Sequence, residues 1–262
     1  KFLTVALAGV LAASMLFTGC SKKAESKVPD KLIVGTNAEF PPFEYMNDKK
    51  QPEGFDIAMI KEIGKRMGKK VEIKNMEFKS LIGAMESDSI NAIIAGMTKT
   101  EKREKAVDFS DSYYTTNQAI ILKKDSKITK LAQLDGKKIG VQEGTTGDLI
   151  SSGDKFGDGK KAKVLVKGAK VKRFKKGVDA VMDLKNGSVD AVVIDELTAN
   201  EFVKKNAKKL KIVIDSAGSE YYCIALTKGN TAYKEEVNKR IKAIKEDGTY
   251  DKLKAKYIDS KN

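Results

Sequence analysis

An internal echo limits the possible folds of this chain more than any other feature. Met85-Glu86-Ser87-Asp88-Ser89-Ile90-Asn91-Ala92-Ile93-Ile94 matches Leu184-Lys185-Asn186-Gly187-Ser188-Val189-Asp190-Ala191-Val192-Val193 in pattern at a constant offset. The strand-to-loop junctions at Gly35 and Gly140 repeat at a closely similar spacing. That spacing is too long for a solenoid repeat, so the body reads as two similar α/β units. Lys31–Gly35 reads as a buried strand, followed by a helix with Ile57, Ile60, Ile63 and Met67 on one face. Val71–Phe78 is a strand with a loop, Ser80 caps a helix through Leu81, Ile82 and Met85, and Ile90–Ala95 returns as a strand. The second unit repeats the alternation with strands at Lys138–Val141 and Val189–Asp195 around a helix at Val178–Leu184. Lys211–Ile214 and Tyr221–Leu226 are later strands, and the tail from Tyr233 to Tyr257 is helical, broken at Gly248. Alternation of this kind gives a mostly parallel sheet flanked by helices. Such sheets bind ligands in the loops beyond the carboxyl ends of their strands.

Two such loops carry charge. In the first unit, Ile93-Ile94-Ala95-Gly96-Met97-Thr98-Lys99-Thr100-Glu101-Lys102-Arg103 runs from a strand end through a glycine to a helix start, with Thr98 and Thr100 as capping residues. A strand, tight loop and helix N-terminus collect backbone N–H groups around an anion. Arg103, in the first helical turn, is placed to hold a carboxylate through two parallel charge-assisted bonds; the same residues would also serve an ordinary βα turn with a solvated arginine. In the echo, Gly96 corresponds to Asp195. One unit thus offers a carboxylate receptor and the other a carboxylate, a pairing suited to a zwitterion, with Arg103 for its acid end and Asp195 for its ammonium.

Composition removes several other chemistries. The chain has no His, which excludes Ser-His-Asp and Cys-His nucleophile sites and histidine zinc sites. Its net charge of +14 invites a nucleic-acid reading, but only Arg66, Arg103, Arg173 and Arg240 are arginines. The lysines are spread along the chain without an aromatic-interleaved basic motif, so a lysine-coated surface is expected and no nucleic-acid partner. No cofactor or metal is expected.

The chain starts with Lys1 and an apolar run from Phe2 to Phe17, then Thr18-Gly19-Cys20. A positive end, an apolar segment and small residues form a secretory signal, giving residues 1–19 as a signal peptide. Leu16-Phe17-Thr18-Gly19-Cys20 resembles a bacterial lipoprotein box, although Phe17 departs from the usual Leu. The resemblance implies lipidation at Cys20, with residues 20–30 as a polar tether. Cys223, in an apolar segment, then reads as a buried, inert thiol.

From Lys31 to Tyr257 the chain resembles the polar amino-acid solute-binding proteins of bacterial ABC importers. The markers are Gly35-Thr36-Asn37 before Pro42-Phe43, Gly54-Phe55-Asp56, the loop Met97–Arg103, Phe109-Ser110-Asp111, Gly144-Thr145-Thr146 and Glu246-Asp247-Gly248-Thr249-Tyr250. Ala58 departs from the family, which usually has a second acid there. The resemblance implies an α/β two-lobed periplasmic-binding-protein-like fold of type II, each lobe a mostly parallel sheet flanked by helices, joined by two hinge strands. Residues 31–115 and 220–262 would form lobe 1 and residues 116–219 lobe 2, with hinges at Thr115–Ala119 and Ser219–Cys223.

The implied function is capture of a polar L-amino acid by hinge closure and delivery to an ABC permease. The protein would be an exported, lipid-anchored monomer on the outer face of the cytoplasmic membrane. Carried over by position, Arg103 grips the α-carboxylate, while Thr98 Oγ, the Gly96 carbonyl and Asp195 face the ammonium. The backbone N–H groups and hydroxyl near Thr146 also take the carboxylate, Thr145 belongs to the same set, and Phe40 and Phe78 flank the side chain. The implied ligand-binding set is completed by Asn37, Glu39, Ala95 and Met97. Asn37 stands where relatives that bind basic amino acids often have Asp, and Gly147 where some have Gln. Asn37 suits a neutral polar side chain such as that of glutamine, whereas Glu39 would restore a negative charge for Lys or Arg. Two other readings use the same lobes. An enzyme of dehydratase or lytic type would need a general acid over the ligand, for which Glu39 and Glu143 are the loop candidates. A sensor would bind without transport.

Overall fold

A computed structural model describes residues 27–156, 163–214 and 219–261. The expected leader, Cys20 and most of the tether lie outside these residues. In chain order the elements are β1 (Lys31–Thr36), β2 (Glu39–Phe40), β3 (Glu44–Met46), β4 (Pro52–Glu53), α1 (Phe55–Arg66), β5 (Lys70–Asn75), α2 (Leu81–Glu86), β6 (Ala92–Ile93), α3 (Glu101–Glu104) and β7 (Val107–Thr116). Then follow β8 (Gln118–Lys123), β9 (Lys138–Gln142), α4 (Thr146–Ser151), β10 (Lys155–Phe156), β11 (Lys163–Val164), β12 (Lys170–Phe174), α5 (Gly177–Asn186), β13 (Ala191–Asp195), α6 (Glu196–Lys204) and β14 (Leu210–Ile214). The chain finishes with β15 (Glu220–Thr227), α7 (Thr231–Glu246) and α8 (Thr249–Tyr257).

Two five-stranded sheets define two lobes, in the orders β5-β1-β6-β15-β7 and β12-β9-β13-β8-β14. In each, the unit's first strand lies between its second and third in parallel pairing. The remaining strands pair antiparallel. Each parallel triplet is thus extended by a strand, β15 or β8, that arrives directly from the other lobe. The antiparallel half of each sheet follows from these two crossings, since a chain entering from the neighbouring lobe needs no crossover helix.

The echo seen in the sequence has a physical cause. In the first lobe the Asn91 side-chain Oδ1 accepts from Ile33 N at 3.0 Å, and in the second the Asp190 carboxylate accepts from Lys138 N at 2.8 Å. Each polar side chain ends the turn after a helix, α2 or α5, by satisfying the first strand of its own sheet. Ile57, Met59, Ile60 and Ile63 bury one face of α1, and Tyr233, Val237, Ile241 and Ile244 one face of α7. The expected break of the tail helix falls at Gly248, in the left-handed region at φ 75°. Ser80 does not cap α2 through its side chain; it ends a short 3-10 turn, Phe78–Ser80, that leads into the helix. Cys223 is buried outside any disulfide, and burial pushes its thiol up to about 11. Among the described residues no helix is long and apolar enough to cross a membrane, and no cluster of carboxylates and thiols could hold a metal ion.

Candidate functional site

A cavity between the lobes is lined by Asn37, Phe40, Phe78, Ala95, Gly96, Thr98 and Arg103 from the first lobe and by Gln142, Thr145, Thr146 and Asp195 from the second. The backbone of the first wall turns at Gly96, whose φ of 52° lies in the left-handed region. A Cβ there would stand 3.1 Å from the Phe40 ring and 3.3 Å from Tyr222. Gly96 N donates to Asp56 Oδ2 at 2.8 Å, and the Tyr113 hydroxyl donates to the same oxygen at 2.6 Å. Burial raises the Asp56 carboxyl to about 6. Glu44 lies against it, also fully buried and with no donor to either oxygen; burial first, and the Asp56 charge second, push its carboxyl well above the usual range. A proton shared between the two is the arrangement that avoids two adjacent buried anions.

Thr100 caps α3 as expected, its hydroxyl accepting from Arg103 N at 3.2 Å. This directs the Arg103 side chain into the cleft. Its Nη1 donates to Thr98 O at 2.5 Å, and its Nη2 crosses the cleft to Gly144 O at 3.0 Å. The guanidinium also lies over the Phe78 ring at 5.3 Å. Burial lowers its pKa to about 10, against the opposing pull of Glu220 and Asp195. Among the described residues no carboxylate lies within ion-pair distance of this cation. A five-donor group with two neutral carbonyl partners keeps donors for an anionic guest.

The second wall ends in Asp195, at the carboxyl end of β13. Its Oδ1 accepts from Gln118 Nε2 at 2.7 Å, and its Oδ2 accepts from the Tyr222 hydroxyl. Beside it stands Glu220, the first residue of the returning strand β15. Glu220 Oε2 accepts from the Thr98 hydroxyl at 2.5 Å and the Thr146 hydroxyl at 2.8 Å, while Oε1 accepts from Gln118 Nε2 at 2.7 Å. Glu220 therefore ties a first-lobe loop, the start of a second-lobe helix and the outgoing crossing strand at one carboxylate. Burial raises the pKa of both acids.

Ten of the twelve residues expected from the sequence line this cavity: Asn37, Phe40, Phe78, Ala95, Gly96, Thr98, Arg103, Thr145, Thr146 and Asp195. Two do not. Glu39 forms an ion pair at 2.7 Å with Lys176 of the other lobe, beside the cavity. Met97 points into the first-lobe core with Val107, Phe109 and Cys223, because its carbonyl is held by Cys223 N at 3.0 Å. The hydroxyls of Thr98 and Thr146, expected to face a guest directly, donate to Glu220 instead. Glu220, Gln118 and Gln142 were missed. The available signal for Gln142 is a polar residue ending a buried strand beside the Gly-Thr-Thr loop; for Glu220 it is a lone carboxylate opening the second hinge strand. Glu143, the other acid considered for catalysis, pairs with Lys79 at 2.9 Å.

The fold and site define a two-lobed protein with a small, charged cavity between its lobes. Residues 32–260 match the bacterial extracellular solute-binding proteins, family 3, and the chain belongs to that family of exported proteins. It is similar to the arginine-binding extracellular protein ArtP of Bacillus subtilis (strain 168), 33% identical over 98% of both chains. Among solved structures it is similar to an ancestral arginine-binding protein bound to arginine, with a TM-score of 0.78 and 41% identity over 88% of this chain and 100% of that one. It is also similar to the arginine-, lysine-, histidine-binding protein ArtJ from Geobacillus stearothermophilus, with a TM-score of 0.76 and 36% identity over 87% of this chain and 95% of that one. These relatives are named for the solutes they bind, and the chain is a solute-binding protein rather than an enzyme.

Proposed function

We propose that this protein captures a basic L-amino acid between its lobes and delivers it to an ABC permease. The observation that carries the reading is a buried acid pair: Asp195 and Glu220 share the closed cleft with the Arg103 guanidinium, and burial makes both hold protons more readily than in water. A zwitterion brings no net charge to displace that proton, whereas a guest with one further positive charge is balanced when the pair ionises. The guest's α-carboxylate goes to Arg103 and its ammonium to Asp195, with Glu220 behind; the rings of Phe40 and Phe78 flank its side chain. The arginine-binding and the arginine-, lysine-, histidine-binding relatives support a basic guest over the neutral one that Asn37 by itself suggests. Residues 31–115 and 220–262 act as one jaw and 116–219 as the other, turning about Thr115–Ala119 and Ser219–Cys223. Lipidation of Cys20 would hold the monomer at the outer face of the cytoplasmic membrane. Isothermal titration with the twenty amino acids tests the reading. Arginine, lysine or histidine is expected to bind in the micromolar range or tighter; binding of none below millimolar overturns it.

A further inference from the structure

The net charge of +14 plays no part in the binding cleft, and the second lobe shows where some of it gathers. There β9 ends at Gln142 and β13 at Asp195, both on the cavity, so the other edge of the sheet faces away from it. Along that far edge the strand order β12-β9-β13-β8-β14 sets Lys170, Lys138, Asp190, Lys123 and Lys209 side by side. Backbone bonds fix the row: Lys170 N donates to Lys137 O, Asp190 N to Lys138 O and Lys124 N to Lys209 O, at 2.8, 2.7 and 2.8 Å. Two of the three acids among these segments are taken up by backbone, Asp190 by Lys138 N and Asp135 by Lys167 N; Asp125 is exposed. Lys123, Lys124, Lys137, Lys138, Lys170 and Lys209 are all exposed, and none forms an ion pair among the described residues.

The first lobe is built alike, and at its matching edge lysines are neutralised: Lys31 pairs with Glu72, Lys69 with Asp30 at 3.4 Å and Lys228 with Asp108 at 2.8 Å. A row of like charges repels itself, and only the second lobe keeps one. Neighbouring strands lie about 4.8 Å apart, so the row runs about 20 Å, more than twice the screening length of about 8 Å at physiological ionic strength. One phosphate can answer a lysine or two; a chain of phosphates can answer them all. Residues 123–138, 163–170, 185–190 and 206–211 hold no arginine and no aromatic residue. The row thus offers point charges, without the forked or stacking groups that read nucleic-acid bases. The chain enters the first lobe at the other end of the molecule, where Asn230 Nδ2 donates to Lys27 O at 2.8 Å. An anchor ahead of residue 27, as proposed above, holds the lysine row away from the membrane.

We infer that this row is a docking surface, separate from the amino-acid cleft, for a linear phosphodiester polymer without bases that lies outside the cytoplasmic membrane. The test measures binding of the full chain to a synthetic glycerol-phosphate polymer long enough to cross the row. The parent is compared with a variant carrying Lys123→Gln, Lys138→Gln, Lys170→Gln and Lys209→Gln. A control carries Lys61→Gln, Lys105→Gln, Lys239→Gln and Lys252→Gln, which removes the same charge from the first lobe. Contact with about four phosphates gives a salt slope near −3, so parent affinity should fall roughly 50-fold between about 50 and 200 mM salt. The second-lobe variant should bind at least about tenfold more weakly with a flatter slope, and the control within about threefold of the parent. Equal losses in the two variants would reduce the effect to net charge and overturn the inference, as would no binding of the polymer by the parent at low salt. The parent's salt slope tests the row independently of either variant. Tighter binding to phosphatidylglycerol-containing vesicles, or to single-stranded DNA of the same phosphate count, would also overturn it.

Discussion

Arg103 illustrates how much of a binding site can depend on a capped turn. Thr100 fixes the helix start, the helix start aims the guanidinium, and two carbonyls hold it at the cleft without neutralising it. Arg103→Lys keeps the charge but cannot form two parallel bonds to one carboxylate. Affinity for the preferred amino acid should drop by about 10- to 100-fold, in line with roughly 1.5–3 kcal/mol for a charged hydrogen bond. Titration calorimetry reads this directly, and a loss under threefold would remove Arg103 from the carboxylate site. Residues were legible where their chemistry is intrinsic to the type. A lone arginine at a helix start and an aspartate at a strand end announce themselves. Glu39 was misread because its partner Lys176 lies far along the chain, and the ion pair exists only once the lobes meet. Met97 was misplaced because the left-handed turn at Gly96 sets which way the next side chain points, and that angle is not written in the residue type.

At the level of single elements the sequence was most informative about helices. The apolar spacing of α7 leads straight to the buried face Tyr233, Val237, Ile241 and Ile244. Ile241→Ala should cost about 2–4 kcal/mol of unfolding free energy while leaving ligand affinity intact, a separation that urea denaturation and titration together would reveal. The sheets were legible as alternating α and β, but their antiparallel halves were not, because each depends on a strand supplied by the other lobe. Glu44, the first residue of β3, and Asp56, in the first turn of α1, form a buried acid pair that no pattern in the sequence joins. Their folded pKa values lie above the unfolded ones, so the folded state holds more protons and stability falls as pH rises. For Asp56 that loss runs from about pH 4 through about pH 6, and Glu44 extends it upward. Glu44→Gln, a neutral mimic of the protonated acid, should flatten the fall in melting temperature between about pH 5 and pH 8. An unchanged slope would show that the pair does not titrate there.

Across the whole molecule the jaws meet through charges as well as through the cavity. Lys79–Glu143, Lys175–Glu77 and Lys176–Glu39 span the cleft at 2.9, 2.6 and 2.7 Å. All three are exposed to solvent and each contributes little alone, but they act in the same direction. Raising ionic strength from about 0.1 M to about 1 M shortens the screening length from about 10 Å to about 3 Å. Affinity should weaken several-fold as the closed form loses these attractions, and replacing Lys79, Lys175 and Lys176 together by Gln should remove most of that salt dependence. Small-angle scattering is expected to show the radius of gyration shrinking when the amino acid is added; identical curves with and without it would argue against hinged jaws.

The drawing together of Asp195 and Glu220 on the single amide nitrogen of Gln118 has a consequence for the act of capture. Both acids retain protons more readily in the folded protein than in water, and an arriving ammonium favours their ionised forms. Uptake of the amino acid should therefore expel a proton into the surrounding medium, with affinity climbing as the solution becomes more alkaline until the empty pair is already ionised. Calorimetry in buffers of different ionisation enthalpy would count the protons expelled, making this cleft a small acid source each time it shuts.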